Sequence, residues 1–142
     1  MLTMNLFALV IGIFIVLLII GFLHHKPIKS SVSTYAWLLF TFPFYYFAFA
    51  LYAQDYSALP IELVAGGIFF TAPLMVRYVK VELFLKLLAG GYILHGIYDV
   101  VHNLLFVNLG TPVWWPEFCG IIDILLGVYL VVYVRKADNN GQ

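Results

Sequence analysis

The chain predicts an all-α fold: a polytopic transmembrane helical bundle of five spans, with its N-terminus outside and its C-terminus inside. Three observations predict it. Of 142 residues, 64% are hydrophobic and only 10% are charged, where a soluble domain carries about 25% charged residues. The apolar residues gather in runs close to the length that crosses a bilayer, about 17–25 residues. Every Lys and Arg falls at or near alternate ends of those runs. Residues 1–142 are therefore expected to form one integral membrane domain with the lipid bilayer as its first partner. Zero net charge offers no field for a nucleic-acid partner, and a single cysteine, Cys119, excludes an internal disulfide.

The first run, Leu6–Leu23, carries no charge. No basic residue precedes it, and Gly21-Phe22-Leu23-His24-His25 is a poor signal-cleavage site, so it reads as a retained helix. Cleavage would leave four spans in the same orientation. His24 and His25 adjoin Lys26 and are expected among the inner headgroups. The second run, Tyr35–Ala53, is rich in aromatics that suit packing and lipid contact; Tyr45, Tyr46 and Tyr52 lining a substrate cage is the alternative. The third, Ile61–Val76, is short and opens with Glu62. Pro43 and Pro73 lie inside the second and third runs, where each frees a carbonyl and is expected to kink its helix. The fourth run, Leu83–Val107, is long enough to need tilt. The fifth, Glu117–Val134, follows Trp114 and Trp115, which suit the outer interface. The polar tail Asp138–Gln142 is expected to fray. Leu63–Ile68 and Leu87–Tyr92 share a Leu-x-Ala-Gly-Gly pattern, which reads as small-residue packing between antiparallel helices.

The cations set the orientation. Lys26 and Lys29 join runs one and two, Arg77, Lys80 and Lys86 lie where run three meets run four, and Arg135 and Lys136 follow run five. Five alternating spans put all seven on one face, which the positive-inside rule makes cytoplasmic.

Ionisable groups inside such runs are costly and mark sites. His95, Asp99 and His102 stand at i, i+4 and i+7 of run four, within an arc of about 60° on a helix. Counted from Val107, Asp99 lies about 12 Å and His102 about 7 Å below the outer surface at 1.5 Å per residue. Counted from Glu117, Cys119 lies about 3 Å and Asp123 about 9 Å deep. Asp123 is thus expected level with Asp99 and His102, and Gly120 and Gly127 beside it allow close packing on a neighbour.

Three chemistries fit these residues. A transition metal ion suits Asp99-Val-Val-His102, which has the carboxylate-x-x-histidine spacing of metal-binding bundles, with Asp in place of Glu. His95 with Asp99 is the alternative chelate, and Asp123, with Glu117 or Cys119, would complete the shell. Acid–base catalysis by Asp99, His102, Asp123 and His95 on a small or lipophilic molecule is the second. Proton or ion conduction is the third. Against all three stands plain polar packing of a non-enzymatic membrane subunit, at about 0.6 kcal/mol per hydrogen-bonded pair. Glu117 follows Pro116 at a helix start, where a carboxylate favours the dipole, and Cys119 reads as a small buried residue. Five short spans also leave room for a homo-oligomer or a membrane complex.

The segment Gly91-Tyr-Ile-Leu-His-Gly-Ile-Tyr-Asp-Val-Val-His-Asn, followed by Pro116, Cys119 and Asp123, resembles a family of small bacterial integral membrane proteins of unknown function. The family pattern has a second histidine where this chain has Asn103. The resemblance covers the last third of the chain. It implies a bacterial inner-membrane location and picks out His95, Asp99, His102, Cys119 and Asp123 as one site. The sharpest expectation from the residues is an inter-helix site on Asp99, His102 and Asp123.

Overall fold

The computed structural model describes residues 4–26 and 28–140, with the side chains of 28–29 and 137–140 left aside. The described residues are all-α. Helix α1 spans Leu6–His24, α2 Ile28–Tyr52, α3 Leu59–Gly66, α4 Ala72–Met75, α5 Val81–Leu105 and α6 Trp115–Asn140, with a 3₁₀ turn at Phe69–Thr71 between α3 and α4. Four helices are long and apolar enough to cross a membrane: Leu6–His24, Ser30–Tyr52, Val81–Leu105 and Trp115–Lys136. Their outward faces carry large apolar side chains, among them Phe7, Phe14, Phe22 and Leu104, each more than 60% exposed. By length and composition this is a membrane protein.

Helix boundaries depart from the apolar runs in instructive ways. Helix α2 begins before Tyr35: Thr34 Oγ1 donates back to Ser30 O within it, and Ser31 Oγ donates to Leu23 O at 3.0 Å, tying its start to the end of α1. Pro43 leaves α2 unbroken. The third run, expected as one span, is three short pieces. Gly66-Gly67 weakens the helix, and Pro73 lacks the N–H that would bond back to Phe69. Helix α6 continues past Val134 and is helical through Asn140, so the expected fraying does not begin at Asp138; residues 141–142 lie outside the described residues.

Helices α5 and α6 form an antiparallel hairpin in close backbone contact. A Cβ built at Gly96 would lie 3.0 Å from Gly120 O, and one at Gly127 would lie 2.6 Å from Ile93 Cγ1 and 3.0 Å from Ala89 O. A leucine at Gly127 has no room without parting the two helices. Gly127→Leu is expected to cost about 1–3 kcal/mol by overpacking, read as a lower midpoint of thermal unfolding in detergent.

Helix α1 runs parallel to α6. Asn5 Oδ1 caps α1 by accepting from Ala8 N, Asn5 N donates to Glu117 Oε1 at 3.2 Å, and His24 Nδ1 meets the Tyr129 hydroxyl at 2.9 Å. His24 is therefore held by α6 rather than left to solvent alone. Helix α2 runs parallel to α5: Tyr92 Oη donates to Tyr35 O near one end and Tyr46 Oη reaches Asp99 nearer the other. Its buried stripe, Tyr35, Leu39, Phe42, Tyr46 and Ala50, follows helical spacing and covers the α5 face. The two Leu-x-Ala-Gly-Gly segments both lean on α2. A Cβ at Gly66 would meet Pro43 at 2.7 Å, and one at Gly91 would meet Leu39 at 2.9 Å.

Gln54, at φ 57°, turns the chain out of α2. Asp55 beyond it accepts from Ser57 Oγ at 2.6 Å and from Leu109 N at 3.1 Å, clipping the α2–α3 loop to the α5–α6 loop. The Ser57 hydroxyl first, and then the Leu109 N–H, hold its carboxyl below the usual carboxylate range. A group lowered in this way contributes fully above the unfolded carboxylate value and loses its contribution as pH falls through the lowered one. The protection factor of the Leu109 amide, exchange corrected for its intrinsic pH dependence, should therefore fall in acid below the ordinary carboxylate range and stay flat near neutrality.

Candidate metal centre

The polar residues of α5 and α6 meet in the hairpin, and the observed helix ends explain which ones meet. Helix α5 stops at Leu105 and α6 starts at Trp115. Measured from those ends, His95 lies about 15 Å deep, Asp99 about 9 Å, His102 about 4.5 Å and Asp123 about 12 Å. Asp123 is thus level with the gap between His95 and Asp99, a turn deeper than the sequence expectation, and His102 lies above it.

His95 Nδ1 donates to Asp123 Oδ2 at 2.6 Å and stands 3.4 Å from Asp99 Oδ2. Tyr46 Oη, from α2, donates to Asp99 Oδ1 at 2.6 Å. His95, Asp99 and Asp123 are all 1% exposed or less. Each offers a ligand atom within 4.8 Å of the others. His95 Nε2, Asp99 Oδ2 and Asp123 Oδ1 are buried with no hydrogen-bond partner. Phe42 and Phe69 pack on the His95 ring, with centroids 5.6 Å and 4.8 Å away.

His102 belongs to a second cluster nearer the loops. Its Nε2 meets Glu62 Oε1 at 2.9 Å and its Nδ1 lies 3.1 Å from Asn103 Oδ1. Glu62 also accepts from Asn108 Nδ2 at 2.8 Å and from Tyr98 Oη at 2.8 Å. Asn108 Nδ2 reaches Tyr46 O as well. Glu62 is 2% exposed and ties α3, α5 and the loop after α5 at one carboxylate. The Tyr46 ring stacks on the His102 ring at 4.3 Å, so Tyr46 touches both clusters.

The expected trio of Asp99, His102 and Asp123 is therefore regrouped. Asp99 and Asp123 meet with His95, and His102 pairs with Glu62 instead. Cys119 is buried beside Tyr46 and Trp115 and outside the ligand group. Glu117 sits at the start of α6 and holds the α1 terminus. Sequence reasoning gave no central role to Tyr46, Glu62 or Asn108. The Tyr35–Leu39–Phe42–Tyr46 spacing would have separated Tyr46 from the half-exposed Tyr45 and the exposed Tyr52. Glu62 and Asn108 come together only through the break in the third run, which carries no such spacing.

The ligand geometry suits one ion. Around a tetrahedral ion with bonds of about 2.1 Å, neighbouring ligand atoms stand about 3.4 Å apart, and around an octahedral one about 3.0 Å. The 3.4 Å from His95 Nδ1 to Asp99 Oδ2 matches already, and the 2.6 Å contact to Asp123 widens by less than 1 Å. One imidazole and two carboxylates make a nitrogen–oxygen set of the kind that holds divalent manganese, iron or zinc. No family model matches the chain, and neither a curated protein nor a solved structure does.

Proposed function

We propose that this is an integral membrane protein that binds a divalent transition metal at His95, Asp99 and Asp123, in the outer half of its α5–α6 hairpin. The observation that carries this reading is the pair of buried carboxylates, each with an oxygen that makes no hydrogen bond, beside one imidazole. Two carboxylates in a low-dielectric core are costly unless compensated. A dication compensates both, and its uptake displaces the proton between His95 and Asp123. After metal loading and gel filtration, the purified protein should retain close to one such ion per chain. A wild type that retains none removes the metal reading.

A second reading has its own support. Tyr46–Asp99–His95–Asp123 is an unbroken chain of polar contacts, and the Tyr46 ring leads on to His102 and Glu62. Such chains relay protons. Proton flux in liposomes that is abolished by Asp99→Asn favours the relay.

The orientation proposed is N-terminus outside and C-terminus inside, in a bacterial inner membrane. The residues of α3 and α4 make the fifth crossing in broken form. Glu62 lies against His102, Phe69 against His95, and Met75 shares a cavity with Phe84. They thus track α5 from His102 to Phe84, about 27 Å at 1.5 Å per residue, against about 30 Å of hydrocarbon. The broken backbone is tolerated because it is packed against α2. A reporter fused at the C-terminus should be cytoplasmic; an external signal overturns this orientation. Membership of the small bacterial family rests on the 91–103 pattern with Pro116, Cys119 and Asp123.

A further inference from the structure

On the opposite half of the bundle, α2, α5 and the broken α3–α4 segment leave a side-opening apolar cavity of about 400 Å³. That volume is within the range of small-molecule sites, about 300–1,000 Å³. Leu39, Phe69, Met75, Phe84 and Leu94 form its walls, and Lys86 stands at one end. Gly90 lines it, and a Cβ there would meet nothing within 4 Å. The break at Gly66-Gly67 and Pro73 creates the space, because a 3₁₀ turn and a one-turn helix stand where a full helix would fill it.

We infer that this cavity holds an acyl chain of an anionic phospholipid, with the lipid phosphate at the Lys86 end. Three features select this occupant. From Lys86 to Leu94 the cavity follows α5 for about 12 Å, close to the roughly 15 Å of one leaflet's hydrocarbon. Lys86 stands at its polar end, Arg77 and Lys80 are exposed in the sequence leading into α5, and Glu82, 2.8 Å from Lys86, is the one acid among residues 77–86. A second copy related by a two-fold axis would bring those cations together, whereas an anionic headgroup neutralises them. The chain end would reach Phe69, whose other side packs on the His95 ring. Lipid binding here needs no metal at His95; only the choice of cytoplasmic leaflet rests on the proposed orientation.

The test is native mass spectrometry of the full chain in detergent, with phosphatidylglycerol and phosphatidylcholine supplied in equal amounts. The wild type should retain one phosphatidylglycerol in preference to phosphatidylcholine. Gly90→Phe, whose Cβ would meet nothing within 4 Å and whose ring would occupy the cavity, should abolish retention. Lys86→Gln, at an exposed position, should lower the headgroup preference about fivefold while leaving the fold intact. Metal content measured on the same samples should not change, which separates this result from the fate of the metal centre. Equal retention of both lipids, undiminished retention in Gly90→Phe, or a lipid-free dimer in the spectrum overturns the proposal. Should Gly90→Phe fail to fold, an unchanged preference in Lys86→Gln overturns it alone.

Discussion

Asp123→Ala protein is expected to lose the metal that the wild type binds, while His102→Ala protein keeps it. Asp123 contributes the only ligand from α6 and bridges to His95 at 2.6 Å. Without it, His95 and Asp99 remain as an i, i+4 pair, and a two-ligand site on one helix leaves most of a divalent ion's shell to solvent that the buried hairpin excludes. Affinity should fall by at least about 100-fold, the upper end of what loss of a mere orienting partner costs. Among the described residues His102 makes no hydrogen bond to the trio and is engaged by Glu62 and Asn103. Removing it should change affinity by less than about tenfold. Competitive titration with a metallochromic dye measures both. The contrast decides between the regrouped site and the Asp99–His102 chelate that the bundle-type spacing alone suggests.

Glu62→Leu should be the most destabilising single change in the cluster nearer the loops. It strips the acceptor from three donors at once: Tyr98 Oη, His102 Nε2 and Asn108 Nδ2. Leaving a buried donor without its acceptor costs about 1–3 kcal/mol, and His102 and Asn108 both stay buried. The loss should appear as a markedly lower thermal midpoint in detergent. Glu62→Gln, which still accepts hydrogen bonds, should recover a large part of it. If Glu62→Leu melts with the wild type, the cluster does not hold α3 to α5.

The all-α membrane architecture was legible because the run boundaries depend on hydropathy alone, and hydropathy dominates in lipid. Four of the five runs are continuous helices close to where their apolar residues lie. The third was not legible as a broken segment. Pro43 leaves α2 continuous while Pro73 coincides with a break, and the difference is local: Gly66-Gly67 already weakens the third run six residues earlier. At the site, the right residue types and the right pair of helices were readable, and the register was not. A two-residue difference at each helix end shifts the depth of Asp123 relative to α5 by about 6 Å, roughly one turn. That shift replaces His102 with His95 as the partner of Asp123. Tertiary pairing of Glu62 with His102 then follows from where the broken segment re-enters the bundle, which no local pattern encodes.

The central claim is that one ion is held by one imidazole and two carboxylates across α5 and α6. Zinc-edge X-ray absorption of the loaded wild-type protein tests it most directly. The prediction is a shell of nitrogen and oxygen at about 2.0–2.2 Å with the multiple-scattering signature of a single imidazole. Two imidazoles would put His102 on the metal, and a sulfur shell at about 2.3 Å would put Cys119 there. Either result contradicts the His95, Asp99 and Asp123 centre.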